Sequence, residues 1–167
     1  MNVKKSLRTH NLLLAVLMLL GTVFMTSCEK DDIDLGDLLK DDNSWKGVQL
    51  KGANEVPAVD SDGYGLLNAH YNSKTKMLKY DFVWTLGNPS DTTVAMHFHG
   101  PATPTMSAGV KRPVTGFAAN SSGGSHSGAV GPLSDDEEKQ LLNGLWYFNI
   151  HSKTHPSGEL RGNLLKK

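Results

Sequence analysis

An all-β domain, an antiparallel sandwich or barrel with one short helix near residues 134–143, is the fold this sequence predicts. Three observations predict it. Leu78, Tyr80, Phe82 and Trp84 alternate with Met77, Lys79, Asp81, Val83 and Thr85, a period of two that buries one face of a strand. Other short apolar runs are separated by Gly- and Pro-rich loops, the punctuation of a sandwich or barrel. A single helix start is legible, at Ser134.

The elements follow in chain order. Trp45 to Leu50 opens the domain, and Tyr64 to Tyr71 pairs with the 77–85 strand through a polar hairpin loop, Asn72-Ser73-Lys74-Thr75-Lys76. Thr92 to His99 is a further strand. Gly100 to Gly109 and Gly116 to Gly128, rich in Pro, Ser, Gly and Thr, read as mobile surface loops. Ser134 stands three residues before Glu137, so its hydroxyl caps free backbone amides while the glutamate reaches back, and Asp135 and Asp136 suit the positive end of the helix dipole. Gly144 ends that helix, which Leu141 and Leu142 pin over an open end of the β structure. Leu145 to His151 and Glu159 to Leu165 complete the set, and no internal repeat interrupts it.

The first 27 residues are of another kind. Lys4, Lys5 and Arg8 precede an apolar run from Leu12 to Leu20 that continues through Val23 and Phe24, the layout of a secretory signal peptide and too short for a spanning helix of about 20 residues. It stops at Met25-Thr26-Ser27-Cys28, which resembles a bacterial lipobox, and that resemblance implies lipidation of Cys28, the single cysteine of the chain. Lys30, Asp31 and Asp32 directly follow and are similar to the surface-export signal of one group of Gram-negative bacteria; an ordinary acidic tether is the plainer reading. The expectation is therefore an outer-membrane lipoprotein, surface-exposed, with its membrane contact made through the lipid anchor. Residues 28–44 hold too few apolar side chains to bury a core and suit a solvated linker, with Leu35, Leu38 and Leu39 enough for one helical turn.

Over all 167 residues 17 basic side chains balance 17 acidic ones; loss of Lys4, Lys5 and Arg8 with the leader leaves 14 against 17, a net charge of −3. That balance, with no basic stripe anywhere, argues against nucleic acid as a partner. Residues 45–165 amount to one ordinary domain. Its core is held by packing alone, since the one cysteine lies outside it.

Histidine carries whatever chemistry is present. Residues two apart in a strand share a face, so His97 and His99 project together, and so do Tyr147, Asn149 and His151. If the two strands bring those faces together, three neutral imidazoles converge, an open ligand set suited to copper or zinc. His155 is the candidate fourth ligand and Asn149 a residue to fix a ring tautomer. Against this stands a structural role, rings half-buried with their nitrogens bonded to backbone carbonyls. His70 and His126 fit no motif and read as surface residues.

Four segments belong together: Leu50-Lys51-Gly52-Ala53-Asn54-Glu55-Val56-Pro57, His97-Phe98-His99-Gly100-Pro101, Asn149-Ile150-His151, and Pro156-Ser157-Gly158-Glu159-Leu160-Arg161-Gly162. The set resembles the CHRD domain, first recognised as a repeat in chordin, the extracellular antagonist of bone morphogenetic proteins. The departures are mild: Ala58, Ser152 and Asn163 stand where proline, threonine and glutamine are usual. The resemblance implies an extracellular β module and fixes no activity.

Within those motifs Pro57 holds Val56 extended, and Gly158 and Gly162 suit turns or close backbone approach. Glu159 and Arg161 share a strand face, able to pair or to bind neighbouring loops, and Glu55 is a partner for Arg161. No nucleophile stands beside a base. The leading reading is a non-catalytic, lipid-anchored module that binds a protein or glycan partner. Beside it stand a copper- or zinc-binding protein and, third, a metalloenzyme that resembles copper-zinc superoxide dismutase, for which neither two complete ligand sets nor the usual disulfide is legible.

Overall fold

The computed structural model describes residues 43–166. The leader, Cys28, Lys30, Asp31, Asp32 and the tether with its leucines lie outside the described residues. Among the described residues no helix is long and apolar enough to cross a membrane.

Among the described residues eight antiparallel strands form one sheet: β1 (Ser44–Lys51), β2 (Tyr64–Asn72), β3 (Met77–Thr85), β4 (Thr93–His99), β5 (Val110–Pro113), β6 (Gly123–Val130), β7 (Tyr147–Ser152) and β8 (Leu160–Asn163), with one helix, α1 (Asp135–Leu142). A 3₁₀ turn, Gly52–Asn54, follows β1. The strand order is β5-β4-β7-β8-β1-β2-β3-β6. The sheet curls on itself into a nearly closed barrel, the expected class, so that the inner face of β3 meets those of β4 and β7: Phe82 packs at a tilt against Phe148, 4.9 Å between centroids, and Tyr80 against Phe98 at 5.3 Å. A backbone bond from Thr93 to Ser121 ties the start of β4 to the start of β6, and one from Leu86 to Ser122 ties the end of β3 to the same segment. Phe98 and Phe148 are fully buried, each worth about 2 kcal/mol of apolar transfer.

The period-two reading of β3 holds residue by residue, with Leu78, Tyr80, Phe82 and Trp84 buried between exposed or half-buried neighbours. The helix is capped as expected: Glu137 N–H donates to Ser134 Oγ while Glu137 Oε2 accepts from Ser134 N–H. Leu141 fills the core, and ion pairs from Lys76 to Asp135 and from Arg112 to Glu137 hold the helix to the barrel.

Two segments read as loops are not simply that. Gly123–Val130 is strand β6, paired with β3 along its whole length. Its glycines are the reason: a Cβ on Gly124 would lie 3.0 Å from the Trp84 ring, and one on Gly128 2.6 Å from Tyr80 Oη, so the small residues make room for β3's aromatic rings. His126, expected at the surface, is half-buried against Phe82 at 5.7 Å. Residues 100–109 are tied into the fold, with Ala102 buried and its amide bonded to Leu145. Gly162 presses against Leu50 and Val48, where a Cβ would fall 2.6 Å and 2.8 Å from their side chains.

Candidate metal centre

Strands β4 and β7 are neighbours, in a register that opposes His97 to Asn149, His99 to Tyr147 and Ala95 to His151. Met96, Phe98, Phe148 and Ile150 go inward to the core, and the alternation leaves the five polar and aromatic residues on the outer face. That face is covered by the 100–109 and 152–158 segments, which leave His99 only 6 % and His151 only 9 % exposed.

The covering loops set the ring protons. His99 Nδ1 lies 2.9 Å from the Ala108 carbonyl oxygen, and His151 Nδ1 lies 2.9 Å from that of Pro156. A carbonyl only accepts, so each ring carries its proton on Nδ1 and presents an unprotonated Nε2. His99 Nε2 is buried with no hydrogen-bond partner. His97 Nδ1 approaches His151 Nε2 at 3.1 Å and, since that nitrogen holds a lone pair, is the donor. One ligand nitrogen from each of the three rings lies within 4.8 Å of the others. Nitrogens around a tetrahedral zinc stand roughly 3.4 Å apart, so the three rings lie near the spacing that one ion would need.

Burial keeps the rings neutral. It pushes His97 down to about 4, with the neighbouring His151 and His99 adding to the effect, and it also lowers His99 and His151, against the hydrogen bonds each makes to backbone carbonyls. Protons therefore compete weakly with a metal for these nitrogens.

The remaining residues stand around this cluster. Asn149, 2 % exposed, places Oδ1 3.0 Å from His151 Nε2 and donates from Nδ2 to Glu55 Oε1 at 3.3 Å. Burial raises the Glu55 carboxyl, partly offset by that hydrogen bond and by the charge of Arg161. Gly158, at φ +127°, closes over the pair: a Cβ there would lie 2.4 Å from Glu55 Oε1 and 2.8 Å from Asn149 Nδ2. Arg161 is wholly buried and stacks on Tyr147, while its Nη2 donates to the Thr103 and Met106 carbonyls and to Asn163 Oδ1. Glu159 Oε1 accepts from Ser61 Oγ and the Gly87 amide. Glu159 and Arg161 thus bind neighbouring loops, and the hydrogen bond Glu55 makes is to Asn149 rather than to Arg161.

A model of the CHRD domain matches residues 47–164. The chain belongs to the CHRD family. No curated protein and no solved structure matches it. Most of the CHRD motifs converge here on one place: Glu55 borders it through Asn149, His97 and His99 come from β4, Asn149 and His151 from β7, and Gly158 covers the Glu55–Asn149 contact, while Pro57 lines a depression with Pro104 and Thr105. Val56, between Glu55 and Pro57, accepts from Ser107 Oγ.

His155 does not join the three histidines. It lines a separate depression with Asp60, Asp62, Asp91 and Glu159, and its backbone builds the loop by donating to Ser152 Oγ and accepting from Gly158. Tyr147 is the neighbour that sequence reasoning left without a role. Its ring lies parallel to that of His99, 2° apart in plane and 4.8 Å between centroids, and its hydroxyl meets both the amide and the carbonyl of Ala108. The strand alternation put it on the right face; only the loop position explains its use.

Proposed function

We propose that this CHRD domain binds copper or zinc through His97, His99 and His151, and that it does so at the cell envelope as a lipid-anchored, non-catalytic protein. The observation that carries the reading is the pair of Nδ1-to-carbonyl contacts, His99 to Ala108 and His151 to Pro156, which turn two Nε2 lone pairs towards one point. Metal-binding histidines are held in this way, by a backbone carbonyl on the nitrogen that does not bind. The buried, unpartnered Nε2 of His99 adds support.

Holding an ion is favoured over a superoxide-dismutase-like reaction, which uses two metals. Among the described residues His97, His99 and His151 form the one group of three or more metal-ligating side chains whose ligand atoms lie close enough together to hold one ion. The envelope location rests on the sequence around Cys28, with Lys30, Asp31 and Asp32 as the proposed export signal. A protein or glycan that receives the ion or docks on the domain belongs to the same proposal.

Elemental analysis with copper and zinc titration of the purified Cys28→Ala chain tests it, beside a His97→Ala, His99→Ala variant shown to be folded. One tightly held ion per chain, lost in the variant, is the expected result. Folded protein that takes up neither ion would refute the metal site and return the histidines to a structural role.

A further inference from the structure

We infer that the proposed centre has a fourth protein ligand, the side-chain oxygen of Asn149, and that Glu55 is the residue that aims it. The inference rests on the three-histidine reading and extends it to two residues that no imidazole pattern includes.

Asn149 is 2 % exposed, so its amide must be satisfied within the protein. Glu55 fixes which end goes where: a carboxylate oxygen accepts, so the edge of Asn149 that faces Oε1 at 3.3 Å is its NH₂ group. The carbonyl oxygen is then turned to His151 Nε2, 3.0 Å away. That nitrogen has no proton to give, because the proton of His151 is on Nδ1, against Pro156. The oxygen and the lone pair therefore face each other as two acceptors. Across the same space stands His99 Nε2, a third acceptor, buried and without a donor. The one proton that reaches this group is the one His97 Nδ1 gives to His151 Nε2; Asn149 Oδ1 and His99 Nε2 are left beside it without a donor, and a cation in place of that proton would satisfy all three acceptors. An oxygen beside three imidazoles is a ligand set that zinc and copper accept.

The position of Glu55 is itself enforced. It is 8 % exposed, and Gly158 leaves no room beside it, as a Cβ there would collide with both Glu55 Oε1 and Asn149 Nδ2. The next residue, Val56, is tied to Ser107 of the loop whose Ala108 orients His99. Glu55 and the loop that sets the His99 tautomer are thus fastened together.

The test is Cu(II) and Zn(II) titration of the Cys28→Ala chain with electron paramagnetic resonance of the copper form, on Asn149→Ala, Asn149→His, Glu55→Ala, Glu55→Gln and the Glu55→Gln, Asn149→Asp pair. Circular dichroism establishes that each is folded. Asn149→Ala is expected to weaken binding roughly 10- to 100-fold and to change the copper spectrum from three nitrogens and one oxygen. Asn149→His should give a four-nitrogen spectrum. Glu55→Ala should weaken binding while Glu55→Gln, which still accepts from Asn149, stays near wild type. The paired substitution keeps the hydrogen bond with its direction reversed and puts a charged oxygen on the metal, so it should bind more tightly than wild type. If wild type binds one ion but Asn149→Ala binds it equally well with an unchanged spectrum, the inference is wrong and the three-histidine reading stands. If folded wild type binds no ion, both are wrong.

Discussion

The Arg161 guanidinium carbon lies 3.6 Å from the centre of the Tyr147 ring, with no water-exposed surface left on the arginine. A planar cation on an aromatic face, forked onto two carbonyls, is a role for which lysine has neither the shape nor the donors. Arg161→Lys should destabilise the protein by about 3 kcal/mol, since it leaves the Thr103 and Met106 carbonyls and a buried charge poorly matched. Urea unfolding measures this; a loss below about 1 kcal/mol would mean the stack and the fork matter little.

Gly158 offers a second substitution. Alanine there would have to adopt φ +127° and press its Cβ into the Glu55–Asn149 contact. Gly158→Ala is expected to cost about 2–3 kcal/mol and to weaken metal binding in the protein that still folds. An alanine variant of wild-type stability would contradict the close approach.

Acid should loosen the metal-free protein. Each of the three histidines is held below its ordinary value of 6.5, His97 at about 4, so between those values the unfolded chain binds more protons than the folded one. Stability then rises with pH through that window and is lost as pH falls from 6.5 towards 4. His97 is partly exposed, which limits its share to on the order of 1–2 kcal/mol after solvent screening. Denaturation midpoints at pH 7, 5.5 and 4.5, repeated on His97→Gln, give the slope and its origin; a wild-type profile no steeper than the variant's would remove His97 as the cause.

The helix cap is a local test. Ser134→Ala removes the acceptor of the Glu137 amide and should cost about 1 kcal/mol, read as a lower thermal midpoint with the histidine cluster intact.

At the other end of the chain, Cys28→Ala should move the protein expressed with its leader from the membrane fraction to a soluble or unprocessed form. Replacing Lys30, Asp31 and Asp32 with alanine should hide it from protease added to whole cells. Unchanged partition in the first case or unchanged accessibility in the second would count against the anchor and the export signal respectively.

How much of this was legible beforehand depends on where the information resides. The alternation in β3, the His97/His99 face, the Tyr147/Asn149/His151 face and the Ser134 cap depend on periodicity or on spacing within a few residues, and these read correctly. Strand β6 did not, because Gly123-Gly124-Ser125-His126-Ser127-Gly128 has the composition of a loop; it is a strand since Trp84 and Tyr80 on its partner need the space its glycines leave. The same limit hid the role of Tyr147 and the tie between Val56 and Ser107, contacts between segments far apart in sequence. His155 sits close to His151 in the chain, yet the turn at residues 152–158 carries it to the other depression.

Ala108 and Pro156 have a wider consequence. Each orients a histidine through its main-chain oxygen, which every amino acid possesses, so the side chains at 108 and 156 can vary without altering the contact, whereas a one-residue deletion in either loop would move the oxygen and change which ring nitrogen faces the centre. A search for relatives by histidine spacing alone would therefore collect chains with the same imidazoles and different ring nitrogens turned inward; loop length between strands is the better guide to which of them share this arrangement.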